Sequence, residues 1–286
     1  MSKEKTTLNI GAHQSAAGGY AKAVQRAADI GATSLQLFSS SPRSWAGANI
    51  SKEDVEEFRQ MKDELGIDPV VFHAPYLINL ADRGGTGEKS IKAMIEELNV
   101  AARCGIIGSV VHVGSWKTDD ESPEDEDHFE HLVTSLKTVL EETDSAADFL
   151  IENMGTRKIG KGFEEIGRII DACDGDERLK VCLDTCHLHV AGFDLADGYD
   201  DFFQRFDKLI GLERLSVIHV NDSRDDFGSL RDRHANLGEG EIPEGVFRNL
   251  TTKSPTKDLP LILETPGFEG KGPDAKNVKI LRDSAL

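Results

Sequence analysis

The sequence predicts one α/β domain, residues 1–286, folded as a closed (β/α)₈ barrel. Short apolar runs rich in β-branched residues alternate with amphipathic stretches, and this alternation occurs eight times in 286 residues. Almost continuously apolar strands separated by helices indicate a parallel sheet that is buried on both faces. Right-handed crossovers permit a doubly wound sheet or a closed barrel, and a count of eight in a chain of this length favours the barrel.

Each predicted unit joins one strand to a following helical stretch. The first strand comes directly after a polar N-terminus, and later strands are apolar runs such as Val70-Val71-Phe72. Helical stretches keep their charges on an outer face, as in the acid-rich run 52–58. The predicted strands span residues 8–13, 34–38, 70–73, 109–113, 149–153, 180–184, 215–221 and 259–265. The amphipathic helical stretches include residues 19–30, 52–65, 89–104, 129–142, 163–173 and 199–209.

Six predicted strands carry His, Asp or Glu at their carboxyl ends, where a barrel of this type places its active site. Taken singly, such a His is more often a hydrogen-bonded core residue, and such an acid often caps the next helix. Together they would bury several carboxylates without counter-charge, at a cost of several kcal/mol each. A cluster of multivalent cations removes that cost. The six residues are His73, His112, Glu152, Asp184, His219 and Glu264.

The stretch from Val181 to His187 is the most informative in the chain. Asp184 and His187 are three apart, so a continuing strand would point them to opposite faces. Either the chain turns after Asp184, or the two residues serve different metal ions. The alternative is an Asp that caps the next helix beside a surface His. Cys182 and Cys186 flank Asp184, and buried apolar packing is favoured for them over thiolate ligation.

Two more ligands are predicted after the seventh strand. Asp232 and His234 are two apart, so in an extended loop they face the same side. With His187 they supply three protein ligands and leave one coordination position open; the alternative is a solvated charged loop. The nine donors suit three ions if one carboxylate bridges, and the imidazoles favour zinc, with manganese or iron as alternatives. Clustered divalent ions indicate phosphoryl transfer, with a phosphodiester as the substrate.

Composition gives a mixed indication about partners. The formal net charge of −18 argues against nucleic acid, although basic residues gather in the loops that follow the predicted strands. We expect a cytoplasmic protein without a membrane span or disulfides, because the chain has no long apolar run, no signal-peptide core and no paired cysteine spacing. Our hypothesis for the excess of acids is adaptation to high intracellular salt.

The chain resembles endonuclease IV, the zinc-dependent apurinic/apyrimidinic endonuclease family, from residue 11 to residue 265. The matching motifs are residues 11–19, 73–80, 184–187, 219–223, 232–234 and 237–240. This resemblance implies a TIM barrel that cleaves the phosphodiester 5′ to an abasic site in duplex DNA. It leaves a 3′-hydroxyl and a 5′-deoxyribose phosphate.

The resemblance also implies a role for each site residue. Glu152 would bridge two zinc ions, and Glu264 would orient the attacking hydroxide. Arg43, Tyr76 and Leu77 would enter the gap in the DNA that the missing base leaves, and a monomer would suffice for a duplex. The implied ligands are His73, His112 and Glu152 for the first zinc, Glu152, Asp184, His219 and Glu264 for the second, and His187, Asp232 and His234 for the third.

Two other functions compete with this one. Sugar isomerases and epimerases with xylose-isomerase-like barrels also place acids and His at strand ends, but they need only one or two metals. A metal-stabilised DNA-binding scaffold is a non-enzymatic alternative, which open zinc positions argue against. The loop 154–162 is basic and glycine-rich and departs from the family pattern, so its DNA contacts are not carried over from the family.

Overall fold

The fold is an eight-stranded parallel barrel, as the sequence predicts. The computed structural model describes residues 8–116, 126–156 and 158–286. Every neighbouring pair of barrel strands is parallel, and the circle closes where β1 pairs with both β2 and β10. The barrel strands are β1 (Ile10–His13), β2 (Ser34–Phe38), β3 (Val70–His73), β4 (Gly108–Val111), β5 (Asp148–Glu152), β6 (Leu179–Asp184), β7 (Leu215–His219) and β10 (Leu261–Leu263).

Helices connect the strands and pack around the barrel. All six predicted helices are present, and α6, α8 and α9 add to them. In the described part of the chain, no helix has both the length and the apolar character that crossing a bilayer requires. The helices are α1 (Tyr20–Asp29), α2 (Lys52–Leu65), α3 (Gly85–Cys104), α4 (Glu126–Glu141), α5 (Phe163–Ala172), α6 (Thr185–Ala191), α7 (Tyr199–Leu209), α8 (Glu244–Thr252) and α9 (Ala275–Asp283).

Three predicted strands extend two residues past the observed carboxyl ends. Strand β7 ends at His219 and not at residue 221, β10 ends at Leu263, and β4 ends at Val111. Local apolar character continues past each end, but the chain leaves the hydrogen-bonded ladder to form the loops. Two predicted ligands, His112 and Glu264, therefore lie one residue beyond a strand.

The apolar core has two parts. Most buried side chains lie between the barrel and its helices. A smaller cluster draws one residue from each of six strands, and Cys182 belongs to it. Gly11 borders this cluster, since a Cβ there would lie 2.4 Å from Ile262 Cδ1. All four cysteines are free and buried, and burial raises the pKa of the Cys182 thiol well above its ordinary value. Cys182 is thus an apolar packing residue, as expected.

A short antiparallel hairpin stands apart from the barrel. Its strands are β8 (Asp222–Ser223) and β9 (His234–Ala235), which pair with each other and with no barrel strand. The buried carboxylate of Asp222 accepts hydrogen bonds from the backbone amides of Gly238, Gly240 and Ile242 at 2.9 to 3.0 Å. Asp222 therefore secures the segment that follows the hairpin.

Glu97 is an exception within this apolar packing. It lies on α3 with 4% exposure, and its carboxylate accepts hydrogen bonds from the hydroxyls of Ser39 and Ser109. Burial raises its pKa to about 7, against the lowering effects of the two serine hydroxyls and of His73 nearby. The phenol of Tyr20 is a further titratable group that interacts with it.

We expect the Glu97→Gln variant to be more stable than the wild type at alkaline pH. A carboxyl whose folded pKa is raised stabilises the protein below its unfolded pKa, and this contribution is lost as the pH rises through about 7. Glutamine has the same shape and no charge. Between pH 5 and pH 8, the free energy of unfolding of the variant should therefore rise by about 2 kcal/mol relative to that of the wild type, which corresponds to several degrees in melting temperature. Thermal unfolding across this range measures the difference. A pH-independent difference would contradict the assignment.

Candidate metal centre

All nine predicted ligands converge at the carboxyl ends of the barrel strands. A cavity of about 1300 Å³ opens there, and seven of the nine line it. Four sets of His, Cys, Asp or Glu side chains in the described residues bring their ligand atoms within 4.8 Å of one another. Three of these sets are the ones that the sequence analysis names, and Glu152 is shared by two of them.

Glu152 lies at the centre of the cluster, and its side chain is 1% exposed. One carboxylate oxygen, Oε2, lies 2.6 Å from His112 Nε2 and 3.4 Å from His73 Nε2. The other, Oε1, lies 3.1 Å from His219 Nδ1 and 3.4 Å from His187 Nδ1. Buried Glu152 Oε2 and His112 Nε2 have no hydrogen bond of acceptable geometry in spite of their proximity. Orphaned donor atoms directed at a common point fit a metal ion.

The second set surrounds the other oxygen of Glu152. His219 Nδ1 lies 3.3 Å from Glu264 Oε2 and 3.8 Å from Asp184 Oδ2. Three carboxylates within so small a volume repel one another unless cations lie between them. The donor set of oxygen and imidazole nitrogen atoms fits a divalent metal.

The third set uses the hairpin. His187 Nε2 lies 3.0 Å from Asp232 Oδ2, and His234 Nε2 lies 3.4 Å from Asp232 Oδ1. His234 sits on β9, and Asp232 is in the loop just before it. The solvated-loop alternative is therefore wrong for these residues, because they face a buried imidazole. The fourth set includes Cys186, whose thiol has a raised pKa through burial and the nearby Asp184 and Asp232 carboxylates, so a thiolate is disfavoured.

The chain turns immediately after Asp184, which combines two of the predicted alternatives. Helix α6 begins at Thr185, and Asp184 caps it by accepting the backbone amide of His187 at 3.0 Å. Its other oxygen faces the site and accepts Asn221 Nδ2 at 2.6 Å. His187 is 2% exposed, so the prediction of a surface His is wrong. Gly155 permits this packing, because a Cβ there would lie 2.8 Å from His187 Cα.

Hydrogen bonds at the far side of three rings turn the other imidazole nitrogen of each toward the ligand cluster. His73 Nδ1 donates to the carbonyl of Ala74 at 2.8 Å, and His187 Nδ1 donates to the carbonyl of Asn153 at 2.8 Å. His219 Nε2 donates to Gln36 Oε1 at 2.7 Å. These partners assign the tautomers, and outer hydrogen bonds of this kind are typical of metal-ligating histidines.

Three buried amides that support the ligands were missed by the sequence analysis. The Oε1 atom of Gln36 accepts a hydrogen bond from His219 Nε2, and its Nε2 atom donates one to Glu264 Oε1 at 2.5 Å. Asn221 binds Asp184 and accepts the backbone amide of Glu264 at 2.9 Å. Asn153 Oδ1 accepts the backbone amide of Asp184 at 2.6 Å. An amide side chain within or just after an apolar strand was the available signal.

The charge states of the metal-free centre follow from mutual attraction. Burial opposes ionisation of Glu152, but the imidazoles of His112 and His219 outweigh it and hold its pKa well below the ordinary value. Burial likewise disfavours a charged His73, but Glu152 raises the pKa of His73 to about 9. Metal ions bind the neutral imidazole, so metal binding must release protons from this centre.

We expect chelation to destabilise the protein. A ligand that binds only the folded state adds about 4 kcal/mol to the free energy of unfolding when its concentration is a thousandfold above its dissociation constant. Removing metal with EDTA should therefore lower the melting temperature by at least about 5 °C, and zinc should restore it. Differential scanning calorimetry with metal analysis of the same sample measures this. An unchanged melting temperature after complete metal loss would contradict a bound cluster.

Of the three predicted DNA-contacting residues, Tyr76 lines the cavity, and Arg43 and Leu77 each directly follow a lining residue in the chain. Tyr76 is 61% exposed, and its backbone amide donates to the carbonyl of Pro42 at 3.2 Å. This bond joins the segment after β3 to residues 39–45, which we name the mouth loop. Arg43 in that loop is exposed, and Leu77 is half-buried. The loop 154–162, which departs from the family pattern, is closed by a hydrogen bond from the backbone amide of Met154 to the carbonyl of Gly160 at 3.0 Å. Residue 157 of this loop lies outside the described residues.

Comparison with known proteins identifies the family. Residues 24–284 match the family model described as a xylose isomerase-like TIM barrel. The chain is 38% identical over 276 residues to endonuclease 4 of Thermus thermophilus, a match that covers 95% of this chain and 96% of that protein. The crystal structure of an endonuclease IV from Thermus thermophilus superposes with a TM-score of 0.84 at 36% identity, over 96% of this chain and 98% of that one.

A D-tagatose 3-epimerase-like protein shares the fold alone. Its structure has a TM-score of 0.70 at 16% identity, over 96% of each chain. Similarity to the endonucleases extends over nearly the whole chain at more than twice the identity of the epimerase-like match. On this evidence, the chain belongs to the endonuclease IV family of xylose isomerase-like TIM barrels.

Proposed function

We propose that the chain is a DNA-repair endonuclease that hydrolyses the phosphodiester 5′ to an abasic site in duplex DNA. The products are a 3′-hydroxyl and a 5′-deoxyribose phosphate. The observation that carries this proposal is the convergence of three ligand sets, joined through Glu152, at the mouth of the barrel. Residues 1–286 are taken as one catalytic domain that acts in the cytoplasm as a monomer.

The proposed cofactor is a cluster of three zinc ions, with manganese or iron as an alternative at one position. His73, His112 and Glu152 would hold the first ion, and His187, Asp232 and His234 the third. The second would lie among Glu152, Asp184, His219 and Glu264. Such a cluster would lower the pKa of bound water and place positive charge next to the phosphate oxygens.

Glu264 is the residue proposed to orient the attacking hydroxide. Burial opposes its ionisation, but the imidazoles of His219 and His73 lower its pKa, so the carboxylate is charged at neutral pH. Its side chain is 16% exposed, and Gln36 fixes Oε1. Oε2 can therefore accept a hydrogen bond from the attacking hydroxide and hold it in position. Glu152 is the second proposed catalytic residue, because its carboxylate lies between two ligand sets.

Duplex DNA with an abasic site is the proposed partner. An abasic nucleotide has no base edge to read and no stacking, so recognition by deformation is favourable. Arg43, Tyr76 and Leu77 are exposed or half-buried at the cavity mouth, where they could enter the duplex. Apolar and aromatic wedges of this kind kink DNA from the minor groove.

The alternative function is that of a sugar isomerase or epimerase. Such a reaction needs one or two metals, which the first two ligand sets would provide. It gives no role to the third set of His187, Asp232 and His234, which lies partly on the hairpin outside the barrel. This third set favours phosphodiester hydrolysis.

The test is incision of a duplex oligonucleotide that carries one tetrahydrofuran abasic analogue, at low and at molar salt, with metal content measured on the same sample. The analogue resists β-elimination, so a single 5′-side cut with a 3′-hydroxyl end would establish hydrolysis. An undamaged duplex is the control. Metal-loaded protein that cuts at no salt concentration would refute the proposal, and ketoses would then be tested as substrates.

If high salt raises neither activity nor stability, the salt-adaptation hypothesis is wrong.

A further inference from the structure

Glu97 has a position that core stability does not explain. It is an acid near the middle of α3, almost fully buried, and no cationic side chain pairs with its carboxylate in the described residues. Its two oxygens instead accept hydrogen bonds from two serine hydroxyls: Ser109, at 2.5 Å, and Ser39. A buried carboxylate with only neutral partners lowers stability relative to an apolar residue. Such a cost is common where function requires a position to be fixed.

The two serines belong to different parts of the molecule. Ser109 is within β4, inside the hydrogen-bonded barrel. Ser39 directly follows β2 and is the first residue of the mouth loop. The backbone carbonyl of Ser39 also accepts the phenol of Tyr20, on α1, at 2.6 Å. Glu97 thus links the rigid barrel to the start of a segment that has no helix or strand of its own.

The mouth loop borders the active-site cavity. Residues 39–42 line the cavity, and the Pro42 carbonyl receives the Tyr76 amide, so both proposed DNA-contacting segments meet there. A shift of Ser39 would move this contact and, with it, the exposed side chain of Arg43. We infer that Glu97 is a positioning residue for DNA binding that holds the mouth loop against the barrel through the hydroxyl of Ser39. This inference rests on the proposed function, in which Arg43 contacts DNA.

The test compares Ser39→Ala with Ser109→Ala in the metal-loaded protein. Each change removes one hydroxyl from the same carboxylate, so the two should lower the melting temperature by similar amounts. Only Ser39→Ala removes the hydrogen bond that reaches the loop, because α3 still fixes Glu97 when the Ser109 hydroxyl is lost. We expect it to raise the dissociation constant and the KM on the order of fivefold with little change in kcat. Ser109→Ala should leave both constants within twofold, with unchanged metal content.

Binding is measured by fluorescence anisotropy on an abasic duplex whose 5′ linkage is a methylphosphonate, which resists incision. Glu97→Gln is the conservative variant: its amide can accept from one serine and donate to the other, so it should bind like the wild type. Equal effects of the two alanine substitutions, or no effect of either, would overturn the inference. Wild-type protein that binds this duplex but never incises a cleavable one would overturn only the proposed function. Wild-type protein that does not bind would overturn both.

Discussion

The Glu152→Gln variant is expected to lose at least about a thousandfold in kcat/KM for abasic duplex, which corresponds to about 4 kcal/mol. The wild-type carboxylate lies within 3.4 Å of four imidazoles and belongs to two ligand sets. Glutamine has one oxygen and no charge, so it cannot bridge two cations. It also brings an amide group toward nitrogen atoms that should face metal. Bound metal should therefore fall together with activity.

The measurement combines incision kinetics with metal analysis by mass spectrometry. Glu130→Gln, an exposed change on α4, is the matched control and should behave like the wild type. A Glu152→Gln protein that keeps its full metal content and loses less than tenfold in kcat/KM would show that Glu152 does not bridge.

Glu264→Gln is expected to lose activity by a different route. Losing the group that positions the nucleophile should cost on the order of a hundredfold in rate, and the loss should fall on kcat. DNA binding should change little, because Glu264 lies inside the cavity and the proposed wedge residues lie at its mouth. The lowered pKa of Glu264 keeps its carboxylate charged above the acidic range. The carboxylate therefore does not titrate between pH 4.5 and pH 8, and the loss of rate in the variant should be the same across this range.

The readouts are single-turnover rates from pH 4.5 to 8 and the dissociation constant for the uncleavable duplex. Unchanged single-turnover rates in Glu264→Gln would remove Glu264 from the chemistry. A large rise in the dissociation constant with normal kcat would assign it to binding instead.

Much of this centre could be predicted because barrel geometry converts sequence position into spatial position. Residues at the carboxyl ends of parallel strands meet whatever their separation in the chain, so His73 and Glu264 could be brought together without knowing any contact. The two-residue spacing of Asp232 and His234 likewise predicts that they share a side, and both approach His187.

The supporting contacts depend on information that local sequence does not contain. Gln36 on β2 reaches His219 on β7 across the barrel interior, and these strands are not neighbours in the sheet. The sequence does not distinguish Glu97 from the exposed acids of an amphipathic helix, because it does not give the rotation of α3 against the barrel. Strand ends were misplaced for a related reason, since Val220 and Thr265 continue the apolar or β-branched pattern after the ladder has stopped.

The hairpin of β8 and β9 lets the molecule be viewed as a module added to an older frame. The barrel closes without these strands, and Asp222 secures the following segment through backbone amides, which place few demands on side-chain identity. A two-metal ancestor could have acquired or lost Asp232 and His234, two of the three ligands of the third set, by changes within this one insertion, since His187 is supplied by α6. Sugar-converting and DNA-cleaving barrels would then differ less in their frames than in a short appendage.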